Sequence, residues 1–211
     1  MPHLSTLAMF AATAFVLAIV PGPGQFYILS RTLAAGQADG YASVAGTALG
    51  GLIHVVASVV GISALIMASA TAFTVLKVIG GCYLIYLGIQ TWRSAGEAEI
   101  TSVFPRGTGA ARAFREGVIV EATNPKTAAF FLALIPQFID LSSGSIAGPS
   151  LVLGTISVGM NTTAGLAVAS GALQIRSRLL KRPSLIRRIR QGSGVIMGGL
   201  GLSLLVARRP A

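Results

Sequence analysis

The chain has 211 residues, of which 53% are hydrophobic and 10% charged, with a formal net charge of +10 and a mean hydropathy of +0.77. A soluble domain of this size carries about a quarter charged residues, so these side chains cannot cover a water-exposed surface. Cys82 is the single cysteine, which excludes a disulfide framework and any cysteine pair.

Spanning a bilayer takes about 20 apolar residues, and lipid leaves only helices or a closed barrel able to satisfy the backbone. Continuous apolar runs without period-2 alternation select helices. The first segment, residues 4–33, is broken by "PGPG" at residues 21–24. It lacks a basic leader and a small-x-small cleavage site, so it reads as a span and not as a signal peptide. The second, 41–68, carries Gly46-x-x-x-Gly50, spaced for close helix contact within the subunit in preference to between subunits, and the lone interior histidine His54. The third, 73–90, has Lys77 near its start. The fourth, 114–138, contains "VEATNPKTAAFF" at 120–131, which sets Glu121, Asn124, Pro125 and Lys126 in an apolar run. The fifth, 146–173, includes Asn161. The sixth, 192–207, is short and glycine-rich, with the weakest claim to a full crossing.

Taking the segments as alternating crossings, twelve Lys and Arg residues fall on one side, in or beside the connections 1–2, 3–4 and 5–6, and only Arg208 and Arg209 on the other. That asymmetry puts the three connections in the cytoplasm and both termini outside. Because the charge lies in connections, it argues for membrane topology and against a nucleic-acid partner. The stretch 176–190 alternates Leu or Ile with Arg or Lys and is expected to be a linker lying on anionic headgroups; a partner-binding helix is the lesser reading.

The two halves repeat each other. "PGPG" and "NPK" break the first and fourth segments, paired aromatics follow (Phe26–Tyr27, Phe130–Phe131), and an acid closes each unit at Asp39 and Asp140. Three spans per half make the repeats enter the membrane from opposite sides. The expected fold is therefore an all-α integral membrane protein of six transmembrane helices in two inverted three-helix repeats: 1–92, a linker at 93–113, and 114–211. Broken helices at matching positions point to a substrate site.

A proline inside a helix removes one donor and blocks the normal bond to the preceding turn. At Pro21, Gly22 and Pro23, and again at Pro125, carbonyls before the break and N–H groups after it lose their partners. Freed N–H groups suit a carboxylate and freed carbonyls an ammonium, so two facing breaks match a zwitterion; the plainer alternative is a pair of structural kinks. A charge at a helix centre costs about 2.5–3.5 kcal/mol, which singles out Glu121 and Lys126. Five residues apart, they can pair directly only through the break. Lys126 is expected to be a fixed positive charge beside the path, against a packing role. His54 reads as a structural hydrogen-bonder or a proton carrier, Lys77 as snorkelling or facing the cavity, and Asn161 as bonding a helix or a substrate.

These stretches resemble the lysine exporter and homoserine/threonine exporter superfamily of bacterial inner-membrane proteins. The similarity rests on "PGPGQFYILSRTLAAG", "GTALGGLIHVV", "LKVIGGCYLIYLGIQTWR" and "FREGVIVEATNPKTAAFFLALIPQFID" and covers nearly the whole chain. It implies six helices, export of amino acids or close derivatives, a small neutral substrate such as homoserine, threonine or leucine, and coupling to protons. It carries roles onto Pro21, Gly22, Pro23, Lys77, Asn124, Pro125 and Lys126, and onto Phe138 and Asp140. Glu121 departs from the apolar or amide residue expected before "NPK". No cofactor or resident metal is implied, and a homo-oligomer is left open.

Other functions fit less well. The chain has no Gly-x-x-x-x-Gly-Lys-Ser/Thr and does not hydrolyse nucleotide itself. A thiol-relay membrane enzyme needs two cysteines. A hydrolase lacks Gly-x-Ser-x-Gly and His-Glu-x-x-His. A cation or metal-ion exporter of the same fold is the alternative, but it would want several carboxylates within the spans.

Overall fold

The computed structural model describes residues 4–68, 70–96, 109–139, 146–181 and 183–206, and among them there are helices and connecting turns and no strand. The first segment is two helices, α1 (Leu4–Ile19) and α2 (Pro23–Ala35), meeting at 46°. Pro23 takes the first turn of α2, where its missing N–H costs nothing. Gly36, with φ 97°, ends α2 in a conformation that side chains resist. The chain then enters α3 (Gln37–Ala68) and α4 (Ala70–Arg93).

The fourth segment is broken in the same way: α5 (Ala110–Ala122) and the short α6 (Pro125–Ala129) belong to a pair bent by 41°. After α6 the correspondence with the first half ends. Residues Phe130–Leu134 form a π-helical turn and Ile135–Phe138 a 3₁₀ turn, where the first half has regular α2. Pro136 explains the difference, since it has no N–H to offer the carbonyl four residues back and the turn rewinds around it. The last helices are α7 (Ala147–Lys181) and α8 (Pro183–Val206).

One expectation changes. Residues 176–190 are not an independent linker: the backbone continues helically to Lys181 and resumes at Pro183, so this basic stretch is the end of α7 and the start of α8. By length and composition, α3 over Gln37–Gly61 and α7 over Ala147–Gln174 suit a bilayer crossing, and the two bent pairs bring the number to four. α4 and α8 do not reach that apolarity among the described residues.

Packing between the halves is reciprocal. The broken pair α1–α2 lies against α7, the broken element α5 against α3, and α4 runs along α8. The α3–α5 approach needs residues without a side chain. A Cβ on Gly46 would collide with the Phe114 carbonyl, and one on Gly50 would stand 2.7 Å from the Val118 carbonyl. The Gly46-x-x-x-Gly50 face thus closes on a helix of the same chain. Exposed Val, Ile and Leu side chains are abundant on the outer faces of the helices, such as Val56, Val60, Ile119 and Leu202. This is the exterior of a membrane-embedded protein.

Candidate functional site

Breaking α1 strands carbonyls that need donors. In a regular helix the Leu17 carbonyl would receive the amide of residue 21, and that residue is Pro21. Lys126 supplies what is missing: its Nζ donates to the Leu17 carbonyl at 2.8 Å and to the Val20 carbonyl at 2.5 Å. A cation at a helix C-terminus is also favoured by the helix dipole. The second break shows the counterpart. The Glu121 carbonyl would receive the amide of residue 125, which is Pro125, and His54 Nε2 stands 2.8 Å from it. A carbonyl only accepts, so the ring carries its proton on Nε2. Each break is therefore capped by a basic side chain from the opposite half.

Glycine makes the fit close. A Cβ on Gly22 would lie 2.8 Å from Lys126 Cδ, and one on Gly24 would overlap Glu121 Oε2. Glu121, Asn124 and Lys126 are all buried. Asn124 caps α6 by accepting from the Lys126 amide at 3.0 Å and donates through Nδ2 to Glu121 Oε2 at 3.0 Å. Thr127 donates to Glu121 Oε1 at 2.6 Å. Glu121 and Lys126 do not form a direct ion pair. The break permits one, but Lys126 is turned to the carbonyls of α1 and Glu121 to its own turn.

A cavity of about 30 Å³ lies where the two breaks meet. It holds about two waters, or a small ionic group, and not a whole amino acid. Its wall includes Gly22, Gly24, Gln25, Glu121, Asn124 and Lys126 from the breaks, with Thr47 from α3 and Ser157 and Asn161 from α7. Gln25 Nε2 reaches the Asn161 carbonyl at 3.4 Å, while its Oε1 is buried with no hydrogen-bond partner.

The expected site residues sort accordingly. Gly22, Glu121, Asn124, Lys126 and Asn161 come together on the cavity wall; Pro21, Pro23 and Pro125 shape the breaks without lining it. His54 sits beside the site, its ring against Phe131 at 5.8 Å. Asp39 lies in the first turn of α3, buried and away from the cavity, with Oδ2 unpartnered. Lys77 is on α4, with its side chain outside the described residues, as is Asp140. Phe138 packs edge-on against Phe10 at 5.3 Å.

Sequence reasoning missed Gln25, Thr47, Ser157 and Thr127, because single uncharged polar residues are common in spans. It also missed a polar cluster beyond the cavity. Arg31, fully buried, pairs with Glu116, which accepts from Arg112 as well at 2.7 Å. The Tyr27 hydroxyl donates to the Ala113 carbonyl at 2.8 Å and receives Arg31 Nε at 3.3 Å. This cluster ties α2 to α5. On the other side of the breaks Phe10, Phe130, Phe131, Leu134, Ile135 and Leu153 form an apolar core. Arg31 had counted only toward topology, though an acid one turn beyond Arg112 was a signal for an ionic cluster. Among the described residues no group of three His, Cys, Asp or Glu is placed to hold a metal ion, and Glu121 is the one carboxylate on the cavity wall.

The profile of the family described as "LysE type translocator" matches residues 15–208. An uncharacterized membrane protein of Vibrio cholerae serotype O1 is 33% identical over 200 residues, covering 94% of this chain and 96% of its own. The homoserine/homoserine lactone efflux protein of Salmonella typhimurium is 31% identical over 202 residues, covering 94% and 95%. The leucine efflux protein of Salmonella choleraesuis is 30% identical over 134 residues, covering 62% and 61%. No solved structure matches.

Proposed function

The chain belongs to the LysE-type translocator family and is a membrane efflux transporter, not an enzyme; from that premise we propose that it is a secondary exporter of amino acids or close derivatives in the bacterial inner membrane. A small neutral substrate is favoured, as in the relatives named for homoserine, homoserine lactone and leucine. The observation that carries the reading is the placement of two proline breaks against each other around a buried polar cavity, each capped from the opposite half. Unwound backbone at a repeat interface is where a transporter of this architecture holds its substrate.

Six crossings in two inverted repeats are the architecture we propose. Reciprocal packing supports it: exchanging the halves turns the contact of α1–α2 with α7 into that of α5–α6 with α3, and returns α4 with α8 to itself. The distribution of Lys and Arg supports our reading that the Arg31–Glu116 cluster lies at the cytoplasmic end and both termini lie outside. We read the 30 Å³ cavity as the closed form of the path. Entry from the cytoplasm then requires the Tyr27–Arg31–Glu116 cluster to part, and release requires the aromatic core around Phe10 and Phe130 to part. Protons are the coupling ion we favour; one proton moving inward yields about 2.3 kcal/mol per 100 mV. The cation-exporter alternative has no observation in its favour.

The direct test is an efflux and toxicity screen in cells overexpressing the chain. Raised tolerance to one or a few small neutral amino acids or derivatives, with faster loss of the labelled compound from preloaded cells, is expected. Unchanged tolerance and efflux across the set, with the protein present in the membrane, would overturn the reading.

A further inference from the structure

We infer that Glu121 makes the cavity between the breaks an ammonium subsite, so that the chain exports amines whose acid group is masked, as an amide, ester or lactone, in preference to free zwitterionic amino acids. The inference deepens the export reading and rests on it. Three observations carry it. First, the cation nearest the cavity is committed elsewhere: the Lys126 ammonium is turned to the Leu17 and Val20 carbonyls and does not pair with Glu121. Second, the wall is rich in acceptors. Glu121 contributes a carboxylate held in place by Asn124 and Thr127, and the wall includes Gln25, whose side-chain oxygen is buried with no hydrogen-bond partner. A primary ammonium, with three N–H donors and no acceptor, is the small group that such a wall satisfies.

The third observation concerns the place where a substrate carboxylate would bind. The first turn of a helix draws anions, and α2 begins at the break. There, Glu121 Oε2 already occupies the space over Gly24 that any side chain at that position would need. The protein's own carboxylate thus stands beside the first turn of α2. A second carboxylate entering the cavity would face a like charge in a buried setting, where screening is weak. An uncharged amide or lactone meets no such opposition.

The experiment is transport in proteoliposomes containing the full chain, comparing labelled leucine with leucinamide and labelled threonine with threoninamide, each corrected for protein-free liposomes. The wild-type protein should move the amide at least about tenfold faster than the free acid in each pair, and Glu121→Gln, which keeps the size and hydrogen bonding of the side chain, should bring the ratio near one. A wild-type ratio of one, or one favouring the free acid, overturns the inference while leaving export intact. So does a Glu121→Gln protein that keeps the tenfold preference. If Glu121→Gln is not recovered from the membrane, the wild-type ratio alone decides. Movement of neither member of either pair overturns the inference, and an empty cell screen beside it overturns the export reading as well.

Discussion

Lys126 and His54 replace the donors lost at Pro21 and Pro125, yet their loads differ. Lys126 serves two carbonyls, whereas the Glu121 carbonyl beneath His54 also receives the Asn124 amide at 3.0 Å. A buried carbonyl left without its partner costs about 1–3 kcal/mol. Lys126→Met should therefore destabilise the protein in detergent by roughly 2–6 kcal/mol, and His54→Ala by about 1 kcal/mol. Thermal unfolding of the two variants checks the order; equal losses would contradict the unequal capping. Lys126→Arg should recover only part of the loss, because a planar fork replaces a compact ammonium between two carbonyls at 2.5 and 2.8 Å. The charge and the proline were legible as anomalies in an apolar run. Which carbonyls Lys126 would meet was not, because they lie more than a hundred residues away in sequence and only the packing of the halves brings them near.

At the scale of elements, the α3–α5 contact and the broken pairs make separate demands. Gly46 lies under the Phe114 carbonyl, while Gly61 on the same helix has nothing within 4 Å of where a Cβ would stand. Gly46→Ala should destabilise by roughly 1–3 kcal/mol through overpacking. Gly61→Ala should be neutral or stabilising by up to about 1 kcal/mol, from helix propensity. Matching unfolding temperatures for the two would contradict the close approach. The Arg31–Glu116 pair, which joins α2 to α5, gives a different signature. Glu116→Gln removes the carboxylate that pairs with the fully buried Arg31 guanidinium; one-sided loss of a fully buried pair costs about 3–5 kcal/mol, and the loss here should be smaller because Glu116 is partly exposed. The double variant Arg31→Met with Glu116→Gln should be more stable than Glu116→Gln alone, measured in the same unfolding assay. The helices themselves were readable from apolar runs and proline breaks. The π-helical and 3₁₀ turns from Phe130 onward were not, because the match between the halves rests on the breaks and the aromatics and carries no signal for how the helix rewinds around Pro136.

For the whole molecule, the proposed arrangement has the basic ends of α7 and α8 facing the cytoplasm and the chain crossing six times. A reporter active only outside the cytoplasm should be active after Ala211 and silent within residues 183–190. Silence after Ala211, with activity from a cytoplasmic reporter there, would remove the sixth crossing. The charge distribution is the ground on which this orientation is proposed, while the length and apolarity of α4 and α8 do not by themselves establish that they cross. Their contact is fixed by glycine: a Cβ on Gly88 would stand 2.6 Å from the Gly194 carbonyl, and one on Gly201 would stand 2.6 Å from the Gly81 carbonyl. Helices so joined satisfy each other through close packing of small residues, the form of association that lipid favours.

The central claim is that the paired breaks are the place where substrate passes, and the most direct measurement is export by a protein whose first break has been closed. Replacing Pro21, Gly22 and Pro23 together with Ala restores the missing N–H, lets α1 continue toward α2 and places a methyl group 2.8 Å from Lys126 Cδ. Efflux of the substrate identified in the cell screen should be lost from this variant while its amount in the membrane stays at the wild-type level. Efflux at the wild-type rate from a correctly inserted triple variant would show that the break is a kink in the fold and that the path lies elsewhere.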